Sequence, residues 1–184
     1  MLKYLPNCLT ASRLLLAGPL GYLILQQDYQ WALLVGLLAG LSDALDGFFA
    51  RRLNALSRFG AALDPIADKV LVTVAFLCFA QVGLIPWYLT LAVILRDLVI
   101  VLGASCYHWL IGPFEFAATR LSKANMFIQI AFCVLVLLAQ VVDWVPQEAI
   151  IAGTAAVLFI AGASGCDYII KWTGKALRQR RQQD

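Results

Sequence analysis

Charge is scarce in this chain. Asp, Glu, Lys and Arg make up 14% of it and hydrophobic residues 62%, where soluble domains carry about 25% and about 45 to 50%. With a mean hydropathy of +0.82, that deficit excludes an ordinary soluble domain and indicates an integral membrane protein. Histidine occurs once, at His108, which leaves too little material for a His-ligated zinc centre or a Ser/His/Asp relay. The five cysteines, Cys8, Cys78, Cys106, Cys133 and Cys166, are odd in number, scattered and free of CxxC spacing. They read as small, buried apolar residues rather than as a metal or disulfide framework. A cleavable leader is not expected either: residues 1–7 are too short and polar to precede an apolar core with a cleavage site, so the first apolar segment stays as a helix. No nucleic-acid partner is expected.

What is present is apolar sequence in long runs. Six segments of membrane-spanning character fall at residues 9–27, 31–50, 66–85, 87–109, 123–142 and 147–170, each near the roughly 20 residues a bilayer requires. The expected fold is therefore all-α, one membrane domain over residues 1–184 with six transmembrane helices. The links at residues 27–30, 83–87 and 142–147 contain neither Lys nor Arg, whereas Lys3, Arg51, Arg52, Arg58, Arg120, Lys123 and the tail from Lys171 to Arg181 lie on the other side. By the positive-inside rule both termini face the cytoplasm, and a bacterial inner membrane is the expected location. Trp31, Trp87, Tyr88, Trp109, Trp144 and Trp172 fall near segment ends, where interface aromatics belong. The basic tail suits an anionic lipid surface.

Against this background one stretch is conspicuous: Asp43-x2-Asp46-Gly47-x2-Ala50-Arg51-x8-Gly60-x3-Asp64-x3-Asp68. Eight fixed identities at fixed spacing arise by chance at about one in 10^9 to 10^10 per start position, far rarer than a lone glycine-rich match. An ionised Asp near hydrocarbon costs about 2.5 to 3.5 kcal/mol, so four of them in one short stretch require a compensating cation. Positions 43, 46, 47 and 50 follow an i, i+3, i+4, i+7 pattern and share one helix face; Asp64 and Asp68 share another. Gly36 and Gly40 continue the first face, and are expected to let the helices of the site pack closely rather than to mediate dimerisation.

Four carboxylates held together raise one another's pKa unless a cation intervenes. Oxygen-only ligands suit a hard ion, Mg²⁺ or Mn²⁺. Carboxylates on two helices allow two ions, and two ions across a phosphate stabilise an in-line displacement. Gly47, Ala50 and Gly60 leave room for a nucleotide, and Arg51 offers a positive fork for a diphosphate.

These residues resemble the motif of the CDP-alcohol phosphatidyltransferases, membrane enzymes in which an alcohol displaces CMP from a CDP-linked donor. All eight positions match. The resemblance implies that Asp43, Asp46 and Asp64 are metal ligands, that Asp68 ligates the second metal and is the general base, and that Gly47, Ala50, Arg51 and Gly60, with Asn7 and Thr10, line the CDP pocket. It further implies CDP-diacylglycerol as donor, membrane lipids as surroundings and a homodimer. Pro6-Asn7-x-Leu9-Thr10-x2-Arg13, Pro19-Leu20-Gly21-Tyr22, Ala62-Leu63-Asp64-Pro65-x-Ala67-Asp68-Lys69, Leu84-Ile85-Pro86, Arg96-Asp97 and Ser122-Lys123-x-Asn125 are most similar to the CMP-forming cardiolipin synthases within that family. Bacterial phosphatidylglycerophosphate synthases share the first half of the pattern, so the acceptor is phosphatidylglycerol or, in the alternative, glycerol 3-phosphate.

Beyond the motif, Arg96, Arg120 and Lys123 are the candidate acceptor-binding cations. Arg96 and Asp97 fall in the middle of the fourth segment, either as a functional pair or as an internal ion pair; Arg120 and Lys123 either hold an acceptor phosphate or are ordinary cytoplasmic charges. Two other function classes also use carboxylates in an apolar chain. A cation transporter would place its carboxylates near mid-bilayer within an inverted repeat, and none is visible. A catalytically silent lipid-binding scaffold would be expected to have lost at least one of the four Asp residues.

Overall fold

A computed structural model of the chain describes the backbone of residues 5–53, 58–111 and 120–180, and the side chains of residues 15–42, 69–103 and 121–168. Among the described residues the fold is entirely helical: α1 (Leu5–Leu25), α2 (Tyr29–Leu53), α3 (Arg58–Gln81), α4 (Trp87–Ile111), α5 (Arg120–Val141) and α6 (Gln147–Arg180). Each expected apolar segment becomes a helix, and two of them run on beyond it by eight residues or more. The third begins at Arg58 instead of residue 66, and the sixth continues to Arg180 instead of ending at 170. Hydropathy marks where apolar side chains stop, whereas the i to i−4 backbone ladder has no reason to stop there. Pro19 lies within α1; it removes one ladder bond without ending the helix, as is common in apolar helices with neighbours.

Two stretches among the described residues, Leu121–Val141 with 21 residues and Gln147–Tyr168 with 22, are long and apolar enough to cross a membrane. Shorter apolar helical stretches cover Leu15–Leu25, Tyr29–Ser42 and Lys69–Gln81. Thr154, inside α6, donates its hydroxyl to the carbonyl of Ile150 at 2.9 Å, so an apolar helix carries it without an orphaned polar group. Trp31, Trp87, Tyr88 and Trp144 are exposed; Trp109 and Trp172 lie outside the described side chains.

The helices group into two units. The first holds α1, α2, α3 and α5 from Cys133 onward; the second holds α4, α5 through Phe132, and α6. In the first unit α1 packs against both α2 and α3, around Ala17, Leu20, Ile24, Ala32, Ala39, Val72, Ala75, Phe76, Phe79 and Ala80, all buried. The closest approach falls at Gly21, where a Cβ would stand 2.9 Å from Val74 Cγ1 and 3.2 Å from Cys78 Sγ. Only glycine lets α1 and α3 come so near. Among the described residues the expectation that Gly36 and Gly40 supply this close packing is corrected: a Cβ at Gly36 would make ordinary contacts of 3.8 and 3.9 Å, and one at Gly40 would meet no described atom within 4 Å. The helical register places those two glycines on one face of α2, but a shared face does not by itself bring a neighbouring helix close.

Helices α1 and α3 end in the same way. Asp28 N–H donates to Leu23 C=O and Gln27 N–H to Ile24 C=O; Leu84 N–H donates to Phe79 C=O and Gly83 N–H to Ala80 C=O. This is the Schellman pattern, which needs a left-handed residue after the helix. Gly83 supplies it at φ 79° without cost, while Gln27 adopts φ 60° against its own Cβ. Among the cysteines, Cys78 and Cys133 are half-buried, Cys166 is exposed and all three are free thiols. Exposure of Cys166 corrects the expectation of uniform burial, because α6 turns that position away from its neighbours; the side chains of Cys8 and Cys106 lie outside the described residues.

Candidate functional site

The eight motif residues divide between two helices of the first unit. Asp43, Asp46, Gly47, Ala50 and Arg51 belong to the last turns of α2, and Gly60, Asp64 and Asp68 to the first turns of α3. Helix α1, which carries Asn7 and Thr10 in its first turns, packs on both. The early start of α3 has a consequence for the motif. Gly60 joins Asp64 and Asp68 at i, i+4, i+8 on one continuous helix, so that a small residue and two carboxylates fall along one stripe. Conversely, the i, i+3, i+4, i+7 set on α2 is helical throughout. The side chains of all eight, and of Asn7 and Thr10, lie outside the described residues, so the metal-ligand and CDP-pocket assignments rest on register and donor chemistry.

The donor set suits a hard divalent cation. Four carboxylates at helical spacing on two elements provide only oxygen ligands, the preference of Mg²⁺ and Mn²⁺. Among the described side chains no other group of three His, Cys, Asp or Glu residues is placed to hold a metal. Lys69, which follows Asp68, is half-buried at the edge of this region.

A second polar cluster lies in the second unit. Arg96 of α4 is buried, with its side chain 6% exposed, and its Nη1 donates to Asp97 Oδ1 at 2.5 Å. Its Nη2 donates to Ser164 Oγ of α6 at 2.5 Å and to Ser122 Oγ of α5 at 3.3 Å. One guanidinium therefore ties three helices together. A planar fork with several donors does this where an ammonium would not. Gly165, beside Ser164, would bring a Cβ to 4.0 Å from Arg96 Cγ, so α6 lies directly against the arginine stem. Below Ser122 on α5, Asn125 and Gln129 are 1% and 4% exposed; with Ser122 they form an i, i+3, i+7 polar stripe. Thr90 of α4 is also fully buried. Among the described residues, Arg96 Nε, Asn125 Oδ1 and Gln129 Nε2 have no hydrogen-bond partner.

The three candidate acceptor cations thus occupy different settings. Arg96 is buried and already paired, Lys123 is exposed in the first turn of α5, and Arg120 begins that helix with its side chain outside the described residues. Sequence reasoning quoted Ser122 and Asn125 without giving them a role and missed Ser164, Gln129 and Thr90. The stripe on α5 was detectable as polar residues at helical spacing in an otherwise apolar helix. Ser164, in the small-residue run Gly162-Ala163-Ser164-Gly165, carried no signal of its own.

Comparison with known proteins adds identity to this geometry. The chain is 48% identical over 98 residues to the cardiolipin synthase (CMP-forming) of Rattus norvegicus, covering 53% of this chain and 32% of that protein. It is 38% identical over 103 residues to the CDP-diacylglycerol--glycerol-3-phosphate 3-phosphatidyltransferase of Aquifex aeolicus (strain VF5), covering 53% of this chain and 56% of that one. Over 185 residues it is 34% identical to the cardiolipin synthase (CMP-forming) / mitochondrial hydrolase fusion protein of Schizosaccharomyces pombe (strain 972 / ATCC 24843), covering 90% of this chain and 30% of the fusion. The chain spans about a third of the length of the rat relative. A family model described as CDP-alcohol phosphatidyltransferase matches residues 3–162, a span that includes the whole Asp motif together with Arg96, Asp97 and Ser122 and stops just short of Ser164. The chain belongs to the CDP-alcohol phosphatidyltransferase family.

Proposed function

We propose that this chain moves a phosphatidyl group from CDP-diacylglycerol to the hydroxyl of an alcohol, with release of CMP. The observation that carries the reading is the complete eight-residue motif on α2 and α3, both packed on α1, in a chain of this family. Asp68 takes the proton of the acceptor hydroxyl as its oxygen attacks the phosphorus that bears the diacylglycerol. The new P–O bond forms as the bond to CMP breaks in line. Asp43, Asp46, Asp64 and Asp68 hold the divalent ions, and Mg²⁺ or Mn²⁺ bound there would offset the negative charge of the diphosphate. Gly47, Ala50 and Gly60 leave the nucleotide room, Arg51 pairs with the diphosphate, and Asn7 and Thr10 complete the CDP pocket from α1.

The proposed setting is a single domain of six transmembrane helices, both termini and the Asp motif on the cytoplasmic face of a bacterial inner membrane, as a homodimer among membrane lipids. The lysine- and arginine-free links support that orientation. A cysteine at Gln147 should react with a membrane-impermeant thiol reagent from the non-cytoplasmic side, and one at Arg58 should not; the reverse pattern would overturn the orientation.

Phosphatidylglycerol is the proposed acceptor and cardiolipin the product. A small dianion such as glycerol 3-phosphate calls for several converging cations, whereas Arg96 is already neutralised by Asp97 at 2.5 Å and Lys123 is exposed. Phosphatidylglycerol brings a single diester charge and enters from the lipid. The Aquifex relative's name supports the alternative, glycerol 3-phosphate. The test is purified protein with CDP-diacylglycerol, divalent metal and each acceptor in turn. Phosphatidylglycerophosphate from glycerol 3-phosphate, with no cardiolipin from phosphatidylglycerol, would replace the acceptor and leave the transferase reading in place.

A further inference from the structure

Helix α6 outruns the helix beside it. Arg96 Nη2 donates to both Ser122 Oγ of α5 and Ser164 Oγ of α6, which sets those two residues at about one level. From there α5 reaches back only to its start at Arg120, whereas α6 continues to Arg180. At 1.5 Å per residue that is about 24 Å of helix past the shared level. The apolar run of α6 gives out at Ile170, so the last turns are a helical arm of different composition. Residues 171–180 hold Lys171, Lys175, Arg178 and Arg180, and neither Asp nor Glu.

Register divides this arm in two. Lys171, Lys175 and Arg178 recur at i, i+4, i+7 and share one face, while Ile169, Trp172, Ala176 and Leu177 fall on the opposite half of the helix. A helix with cations along one side and apolar and aromatic residues along the other suits the boundary between hydrocarbon and headgroups. Trp172 marks that level, directly after the apolar run ends. Counted along the axis from Ile170, Lys171 and Lys175 lie at about 1.5 and 7.5 Å, and Arg178 and Arg180 at about 12 and 15 Å. A headgroup layer is about 5 to 7 Å deep on each side of a bilayer. The two lysines therefore fall within it or at its outer edge, and the two arginines beyond it.

We propose that this arm is a binding surface for anionic phospholipid headgroups, with Lys171 and Lys175 as its main contacts. The inference rests on the membrane-spanning reading of α6 and is independent of the transferase site. A dissolved polyanion would gain most from the outermost cations, whereas a lipid surface gains most from the innermost, because attraction fades over a Debye length of about 8 to 10 Å.

The test uses the full chain in phosphatidylcholine vesicles that contain phosphatidylserine or phosphatidylcholine analogues with the same photoreactive group close to the headgroup. Crosslinks are mapped to residues 169–180 by mass spectrometry. The anionic analogue should label this segment several times more than the zwitterionic one at 0.1 M salt, and the preference should vanish at 1 M salt. Lys171→Gln with Lys175→Gln should lower the anionic yield more than tenfold, at about fivefold per cation near the surface. Arg178→Gln with Arg180→Gln removes the same charge and should lower it less than about threefold, and Lys171→Arg with Lys175→Arg should keep the wild-type yield. Equal labelling by the two analogues overturns the inference, as does an outer pair that matters more than the inner one. A chain that does not co-float with the vesicles refutes the membrane setting, and the inference with it.

Discussion

The two units bury different kinds of side chain. Every buried side chain described in the first unit is apolar, from Ala17 and Leu20 of α1 to Phe76 and Phe79 of α3 and Val136 and Leu137 of α5. In the second, Thr90, Arg96, Asn125, Gln129 and Ser164 are buried beside Leu89, Val93 and Val157. An apolar core packs by shape alone and tolerates no mismatch of volume, whereas a polar core holds by partner and tolerates no loss of one. The first unit thus provides stiff supports for the helix ends that carry the Asp motif. The second holds one cation in a defined orientation, through bonds to Asp97, Ser122 and Ser164.

The largest expected effect lies at the end of the stiff unit. Asp68→Asn should keep fold and donor binding while turnover falls about 10² to 10⁴-fold, the contribution of a positioned base; CMP release from CDP-diacylglycerol measures it, and a near-normal rate removes the base assignment. Chelation with EDTA should abolish the same signal, and chelator-resistant turnover would contradict the metal site.

The polar core is broken next. Arg96→Leu leaves Asp97 without its closest cation and should cost about 3 to 5 kcal/mol of stability, seen as a lowered thermal midpoint in detergent. The double variant Arg96→Leu with Asp97→Leu should recover much of that loss. If the double variant is as unstable as the single, pairing is not what holds this cluster.

Volume is the test of the apolar unit. Gly21→Val forces side-chain atoms into Val74 and Cys78, for which even a Cβ stands at 2.9 and 3.2 Å, and should cost about 1 to 3 kcal/mol. Gly40→Ala, with nothing within 4 Å of its Cβ, should be neutral or slightly stabilising. Equal effects at the two glycines would show that the α1–α3 approach is not tight. The smallest change concerns the matched helix ends: Gln27→Gly should stabilise by about 1 kcal/mol, the cost of a left-handed non-glycine residue, and Gly83→Ala should destabilise by a similar amount. Thermal midpoints of the two variants moving in the same direction would contradict the shared cap geometry.

Much of this molecule is determined locally and so was legible in its residues. Six apolar runs become six helices because backbone hydrogen bonds close within each run, whatever its neighbours do. The Asp motif is equally local: each half lies within one helix, so its spacing fixes which residues share a face before any packing is known. Tertiary structure decided what depends on two helices meeting. The close approach at Gly21 rather than Gly36 and Gly40 depends on where α1 meets α3, which no single-helix pattern encodes. The bond at Ser164 depends on α6 reaching an arginine 68 residues away, and a serine in a run of small residues looks the same with or without that partner. The extra turns of α3 and α6 escaped a hydropathy reading because the backbone ladder continues where apolar side chains end.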